Sequence, residues 1–301
     1  MLAKLSRILL IAEEIGLDIT GNSFKTALKR LESGVEIWLN GSAANPLLYD
    51  TAWGGLIACG CSVPFPYYNQ STGSCDYRFP DCPAVDNEEI NYGLGFYCDH
   101  HYHYGYFIYA AAVIAKYDAD WTHKYHEHIL LLIRDIANPS TEDQYFTTYR
   151  HKDWFLGSSW ASGIITYAGS PFPWKYGRNQ ESTSEAIASY EAVALYGEYA
   201  GKVFSSSYQS NHHARCKTIE IVGKMLLATE IRSSETYWHV RKSADTSIYP
   251  RIYPNEYAHS IIGRMWSEKA ELDTFFGGEE WKSYGIQLMP TTPIAEQRDD
   301  P

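Results

Sequence analysis

The feature that most limits the architecture is a recurrence of apolar residues at three- and four-residue steps in segment after segment, with little alternating pattern. Leu2, Leu5, Leu9, Ala12 and Ile15 mark a first amphipathic helix ended by Gly16. Asn22 or Ser23 is placed to cap a second, whose Phe24, Ala27, Leu28, Leu31, Val35 and Leu39 share a side opposite Lys25, Lys29, Arg30 and Glu32. Further helices are predicted over Tyr104 to Tyr117, Trp121 to Ala137 (stopped by Asn138-Pro139), and about Glu181 to Tyr199, His212 to Ile231 and Glu256 to Phe276. Only Thr246 to Ile252 reads as short strand. The class is therefore all-α, with paired helices joined by aromatic-rich loops.

The 301 residues suffice for one large core, and no linker divides them. With 25 basic against 36 acidic residues the net charge is −11, which repels phosphate backbones and excludes nucleic acid as a partner. The longest apolar run, near Ile8 to Ala12, is interrupted by Lys4, Arg7 and Glu13, far short of the roughly 20 residues of a membrane span. No membrane partner is expected. The N-terminus carries Glu13 and Glu14 at helical spacing and resembles no signal peptide. Cys59, Cys61, Cys75 and Cys82 sit in a Pro- and Gly-rich loop at about 56–90, spaced for one or two disulfides rather than for a zinc knuckle. Sequons at Asn40 and Asn69 mildly favour export.

Chemistry concentrates in Asn91 to Tyr106, where one carboxylate, three histidines and five tyrosines share sixteen residues. Asp99 stands at a helix entrance, placed to project into a cleft. Glu181 and Glu185, four residues apart, read as opening a helix and sharing one face, followed by the small Ala188, Ser189 and Ala192. An isolated acidic pair there ordinarily complements the helix dipole. Joined to Asp99 it supplies the parts of an inverting glycosidase, in which one carboxyl stays protonated to donate to the leaving oxygen and another deprotonates the attacking water. The abundant tyrosine (25) and tryptophan (9) suit sugar faces, although gap-filling between helices accounts for many of them. His100, His101 and His103 lack metal-site spacing and read as supports around Asp99. The set His123, His126 and His128 reads as a solvated face, and no metal is expected.

Six collinear segments carry a closer resemblance: Tyr49-Asp-Thr-Ala-Trp-Gly-Gly55, Asp99-His-His-Tyr-His-Tyr-Gly-Tyr106, Arg150-His-Lys-Asp-Trp154, Ser159-Trp-Ala-Ser-Gly163, Gly177-Arg-Asn-Gln-Glu-Ser-Thr-Ser-Glu-Ala186 and Gly285-Ile-Gln-Leu-Met-Pro-Thr-Thr-Pro293. In that order they resemble glycoside hydrolase family 81, the endo-β-1,3-glucanases. The resemblance implies a single (α/α)6 barrel domain over residues 1–301, a long open cleft and an inverting mechanism without metal or other cofactor. It also implies a β-1,3-glucan partner and a monomer, with Asp99 as general acid, Glu181 as general base and Glu185 as helper carboxylate. Asp50, His103, Tyr106, His151, Lys152 and Trp160 correspond to substrate contacts. Cys98 stands where an asparagine is expected, Ser158 where a histidine is common, and the cysteine loop at about 56–90 is an insertion.

Family members carry a β-sandwich domain before the barrel and further helices after it. About eight helices are legible where a closed barrel has twelve, so the barrel is expected to be incomplete at both ends. The chain alone is then expected to be poorly stable or inactive, since unpartnered helix faces expose apolar surface. For a full-length parent, a secreted or cell-wall location is favoured. The competing reading is a non-catalytic β-glucan-binding protein, against which the retention of all three carboxylates argues.

Overall fold

The computed structural model describes residues 1–43, 46–60, 80–165, 174–205, 210–241, 251–290 and 292. These residues are mostly helical. In chain order the elements are α1 (Leu2–Glu14), α2 (Asn22–Leu39), β1 (Leu47–Asp50), β2 (Gly55–Ala58), α3 (His100–Tyr117), α4 (Ala119–Ala137), β3 (Asn179–Gln180), α5 (Thr183–Ser205), α6 (Ser210–Tyr237), β4 (Arg264–Trp266), β5 (Ala270–Glu271) and α7 (Glu280–Leu288). Two 3-10 turns, Pro83–Val85 and Ile90–Phe96, precede α3. Among the described residues no helix is long and apolar enough to cross a membrane.

Helix α3 is central because almost its whole circumference is apolar or small: Ile108 and Ala110 to Ile114 are fully enclosed by α1, α2, α4 and α5. Gly105 lets α5 come close. A Cβ there would lie 2.5 Å from Ser189 Cβ, so any larger residue would push the two helices apart. Asp118 caps α4 by accepting from Trp121 N at 2.8 Å, and α4 ends at Ala137, before Asn138-Pro139.

Several expectations change. Gly21, not Asn22 or Ser23, is the cap residue of α2. The stretch 256–276 forms no helix. It contains β4 and β5, antiparallel to one another, with β4 also pairing β3, and it encloses Trp238, Val240, Ile262 and Met265 in a second small core. Short apolar runs such as Ile261-Ile262 and Met265-Trp266 fit either period, and here sheet pairing and the close approach of Gly263 to the Asp273 backbone decide. β1 and β2 form an unexpected antiparallel pair. His126 is buried against Tyr196 and Phe204 rather than solvated. Cys59 and Cys82 form a disulfide. Cys61, Cys75, Asn69 and most of Thr246 to Ile252 lie outside the described residues.

Candidate active site

The approach to Asp99 is held in an unusual backbone conformation. Asn91, Tyr92, Tyr97 and Asp99 all have positive φ, a region that costs an L-residue roughly 1–2 kcal/mol. Buried polar groups hold Tyr97 and Asp99 there. His100 bonds Asp135 through Nδ1 at 2.7 Å and Leu94 O through Nε2 at 2.8 Å. The Tyr97 ring stacks on His100 under the Arg150 guanidinium, and its hydroxyl donates to Asp50 at 2.8 Å. From the other side Ala161 O accepts from Asp99 N at 2.8 Å. With φ at 55° the Asp99 side chain makes no capping bond to α3, unlike an ordinary N-cap in extended conformation. Asp99 lines a cleft instead.

Glu181 lies in the junction between β3 and α5. It therefore precedes the helix rather than opening it, because Asn179 and Gln180 are claimed by pairing with β4. Phe275 N donates to its Oε1, and Gln287 Nε2 to its backbone oxygen. Glu185, in the first turn of α5, accepts from Tyr106 Oη at 2.7 Å. Burial pushes the Glu181 carboxyl up to about 7. Burial also raises Glu185, against the opposing pull of Tyr106 and Ser182. Asp99 is raised well above the carboxylate range, first by burial and then by Glu185 and Glu181. Three carboxyl groups around one space do not all ionise cheaply, and burial together with its two acidic neighbours disfavours the charged form of Asp99.

The three line a cleft of about 650 Å³ with Tyr92, Tyr102, His103, Tyr106, Trp174, Phe275 and Phe276. Tyr102, His103, Tyr106 and Glu185 also border an adjoining cavity of about 680 Å³ beside α1. Of the residues singled out in the sequence, Asp99, Glu181, Glu185, His103 and Tyr106 come together here. Asp50, His151, Lys152 and Trp160 do not line the cleft. Asp50 holds Tyr97. His151 is buried against His101, with Nδ1 on Trp160 O. Lys152 is paired with Glu230, and Trp160 packs on Trp238 and Met265 while donating to Asp153. Tyr102, Trp174, Phe275 and Phe276 escaped sequence reasoning, the phenylalanines because they fell at the end of the expected 256–276 helix.

The two departures from the family pattern are both buried: Cys98 donates to Ser162 O at 2.9 Å, and Ser158 O accepts from Asp153 N. Among the described residues two groups have metal-ligand composition. In His100, Asp135 and His151, both His100 nitrogens are already taken by oxygen acceptors. In His126, Glu127 and His212, the Arg215 guanidinium spans both oxygens of Glu127 and puts a positive charge where a cation would sit.

A family model described as the glycosyl hydrolase family 81 C-terminal domain matches residues 1–77 and 81–300. A Glycine max protein named glucan endo-1,3-beta-D-glucosidase is 31% identical over 300 residues, covering 98% of this chain and 37% of the relative. One of the same name from Acetivibrio thermocellus is 32% identical over 296 residues, covering 97% and 31%. The solved structure of a mutant glycoside hydrolase family 81 protein from Clostridium thermocellum aligns with a TM-score of 0.69 at 29% identity, covering 99% of this chain and 34% of that one. The chain spans about a third of the length of the curated relatives it matches. By a family match that runs nearly end to end, this chain belongs to glycosyl hydrolase family 81, within its C-terminal domain.

Proposed function

We propose that this domain hydrolyses β-1,3-glucan internally, with inversion, using Asp99 as general acid, Glu181 as general base and Glu185 as the carboxylate that steadies the base or its water. The observation that carries this reading is the meeting of three carboxyls in one aromatic-walled cleft, where burial and the other two carboxyls favour the protonated form of Asp99. Glu181 takes a proton from water as its oxygen attacks the anomeric carbon. Asp99 gives its proton to the glycosidic oxygen as the C–O bond breaks. Attack from the face opposite the leaving group turns the β linkage into an α product.

His103, whose ring burial lowers to about 4, is neutral and both donates and accepts toward sugar hydroxyls. Tyr92, Trp174 and Phe276 supply flat apolar faces for the rings. In this reading the helices belong to one (α/α)6 barrel domain, the protein works as a monomer, and the chemistry needs no metal. The names of the relatives from Glycine max and Acetivibrio thermocellus support the substrate.

The test is incubation with a linear β-1,3-glucan, following reducing ends, for the wild type, Asp99→Asn and Glu181→Gln. Wild-type hydrolysis that both variants lose by at least ~100-fold supports the assignment. Glucan binding without new reducing ends would leave a binding protein. Rapid NMR of the first product reads the anomer, and a β product rejects inversion.

A further inference from the structure

Lys152 and Glu230 form an ion pair with side chains 1% and 0% exposed, Nζ to Oε2 at 3.0 Å. Burying such a pair rarely stabilises a fold more than an apolar pair of similar volume would. The arrangement around Glu230 suggests what the pair does. Its carboxylate also accepts from Ser159 N at 3.1 Å, Ser159 Oγ at 3.0 Å and Gln180 Nε2 at 3.1 Å. Gln180 is fully buried, and its Oε1 accepts from Tyr102 Oη at 2.7 Å. Tyr102 Oη in turn accepts from Ser182 N at 3.1 Å. Residues 180 and 182, on either side of Glu181, are thus tied to one continuous buried network.

We propose that the Lys152–Glu230 pair is a positioning device for Glu181, acting through Gln180, and that neither member contacts substrate. Lys152 neutralises Glu230 in the interior, Glu230 holds the Gln180 amide, and the amide oxygen orients Tyr102 onto Ser182. The backbone at 181 is clamped from both sides, so its carboxyl projects into the cleft in one direction. This inference rests on the reading of Glu181 as general base, for which a misplacement of about 1 Å costs on the order of 100-fold in rate.

The experiment compares two charge-neutral double variants of the full chain, Lys152→Met/Glu230→Leu and Lys152→Met/Glu230→Gln. Glutamine keeps an amide oxygen for Gln180 and Ser159, whereas leucine keeps only volume. The leucine variant is expected to lose about 10–100-fold in kcat on linear β-1,3-glucan with KM changed by less than about 3-fold, and the glutamine variant to recover most of that loss. Selective carboxyl NMR of Glu181 supplies a readout independent of turnover: its titration moves in the leucine variant and stays in the glutamine variant. Wild-type kcat in the leucine variant, equal losses in both, or a loss confined to KM overturns the proposal. If the wild type hydrolyses no glucan, the functional reading fails and the titration alone decides the positioning role, an unmoved Glu181 rejecting it. Should the leucine variant not fold, Gln180→Met is read by the same criteria, and wild-type kcat there rejects it.

Discussion

Tyr106 Oη donates to Glu185 Oε1 at 2.7 Å, joining α3 to α5 across 79 residues of sequence. The contact exists because Gly105, one residue earlier, lets α5 approach until Ser189 Cβ and Cα fill the place of a side chain. The phenol stabilises the ionised form of Glu185 against the burial that raises its pKa.

Tyr106→Phe is expected to remove that stabilisation without disturbing the helix pair, since only the hydroxyl is lost. A hydrogen bond to a charged group contributes about 1.5–3 kcal/mol, so a drop of roughly 10- to 150-fold in kcat/KM is expected, with Glu185 protonated to higher pH. Steady-state kinetics across pH, with thermal melts as a folding control, check it. An unchanged profile would remove Glu185 from the reaction.

Activity should depend on pH through two groups of opposite requirement. Glu181 must be deprotonated to act as base, so the rate should rise as pH climbs through its value of about 7. Asp99 must be protonated, and the rate should fall only where its strongly raised pKa is passed. The expected kcat/KM profile is a bell with its acidic limb near pH 7. An acidic limb near the ordinary glutamate value would mean that Glu181 is not buried as the base.

The same shift has the opposite sign for stability. A carboxyl whose folded pKa exceeds its unfolded one binds more protons when folded, so its contribution is fully present below the unfolded value and is lost as pH rises through the folded value. For Glu181 that window runs from about 4.5 to about 7, a loss on the order of 3 kcal/mol. Glu181→Gln, which keeps an oxygen for Phe275 N, should therefore raise the melting temperature at pH 8 by a few degrees and leave it nearly unchanged at pH 4. Equal shifts at both pH values would contradict the linkage.

What could be read from the chain, and what could not, divides along the range of the interactions involved. α1, α2 and α4 were legible because each carries its own apolar stripe, and α4 its own stop at Asn138-Pro139, while α3 was legible as a continuous run of apolar and small residues. Asp99, His103 and Tyr106 were legible as a group because one turn of chain and one turn of helix bring them together. Glu181 was misplaced onto the helix because its environment is set by β4, over eighty residues downstream. The inward turn of Lys152 depends on Glu230, and a charged residue within the expected 212–231 helix has nothing local to distinguish it from one on a solvated face. Phe275 and Phe276 reach the cleft only because 256–276 is sheet and loop.

The Cys59–Cys82 disulfide should stabilise the approach to the acid rather than the helical core. Cys59 O accepts from Ala84 N at 3.0 Å, next to the bridge, and Ala84 lies directly against Gly95 of the turn that leads to Asp99. Closing a loop of sequence separation 23 limits the unfolded chain by about 3 kcal/mol on an entropic estimate. The variant Cys59→Ser/Cys82→Ser is accordingly expected to melt about 5–10 °C lower. Its kcat should fall further than that of a variant equally destabilised at a distance from the 3-10 turns, because loosening Ala84 loosens the strained residues before Asp99. Calorimetry beside glucan kinetics decides the point. A variant that melts with the wild type, or that loses stability while keeping full kcat, would reduce the bridge to a fastening of its own loop.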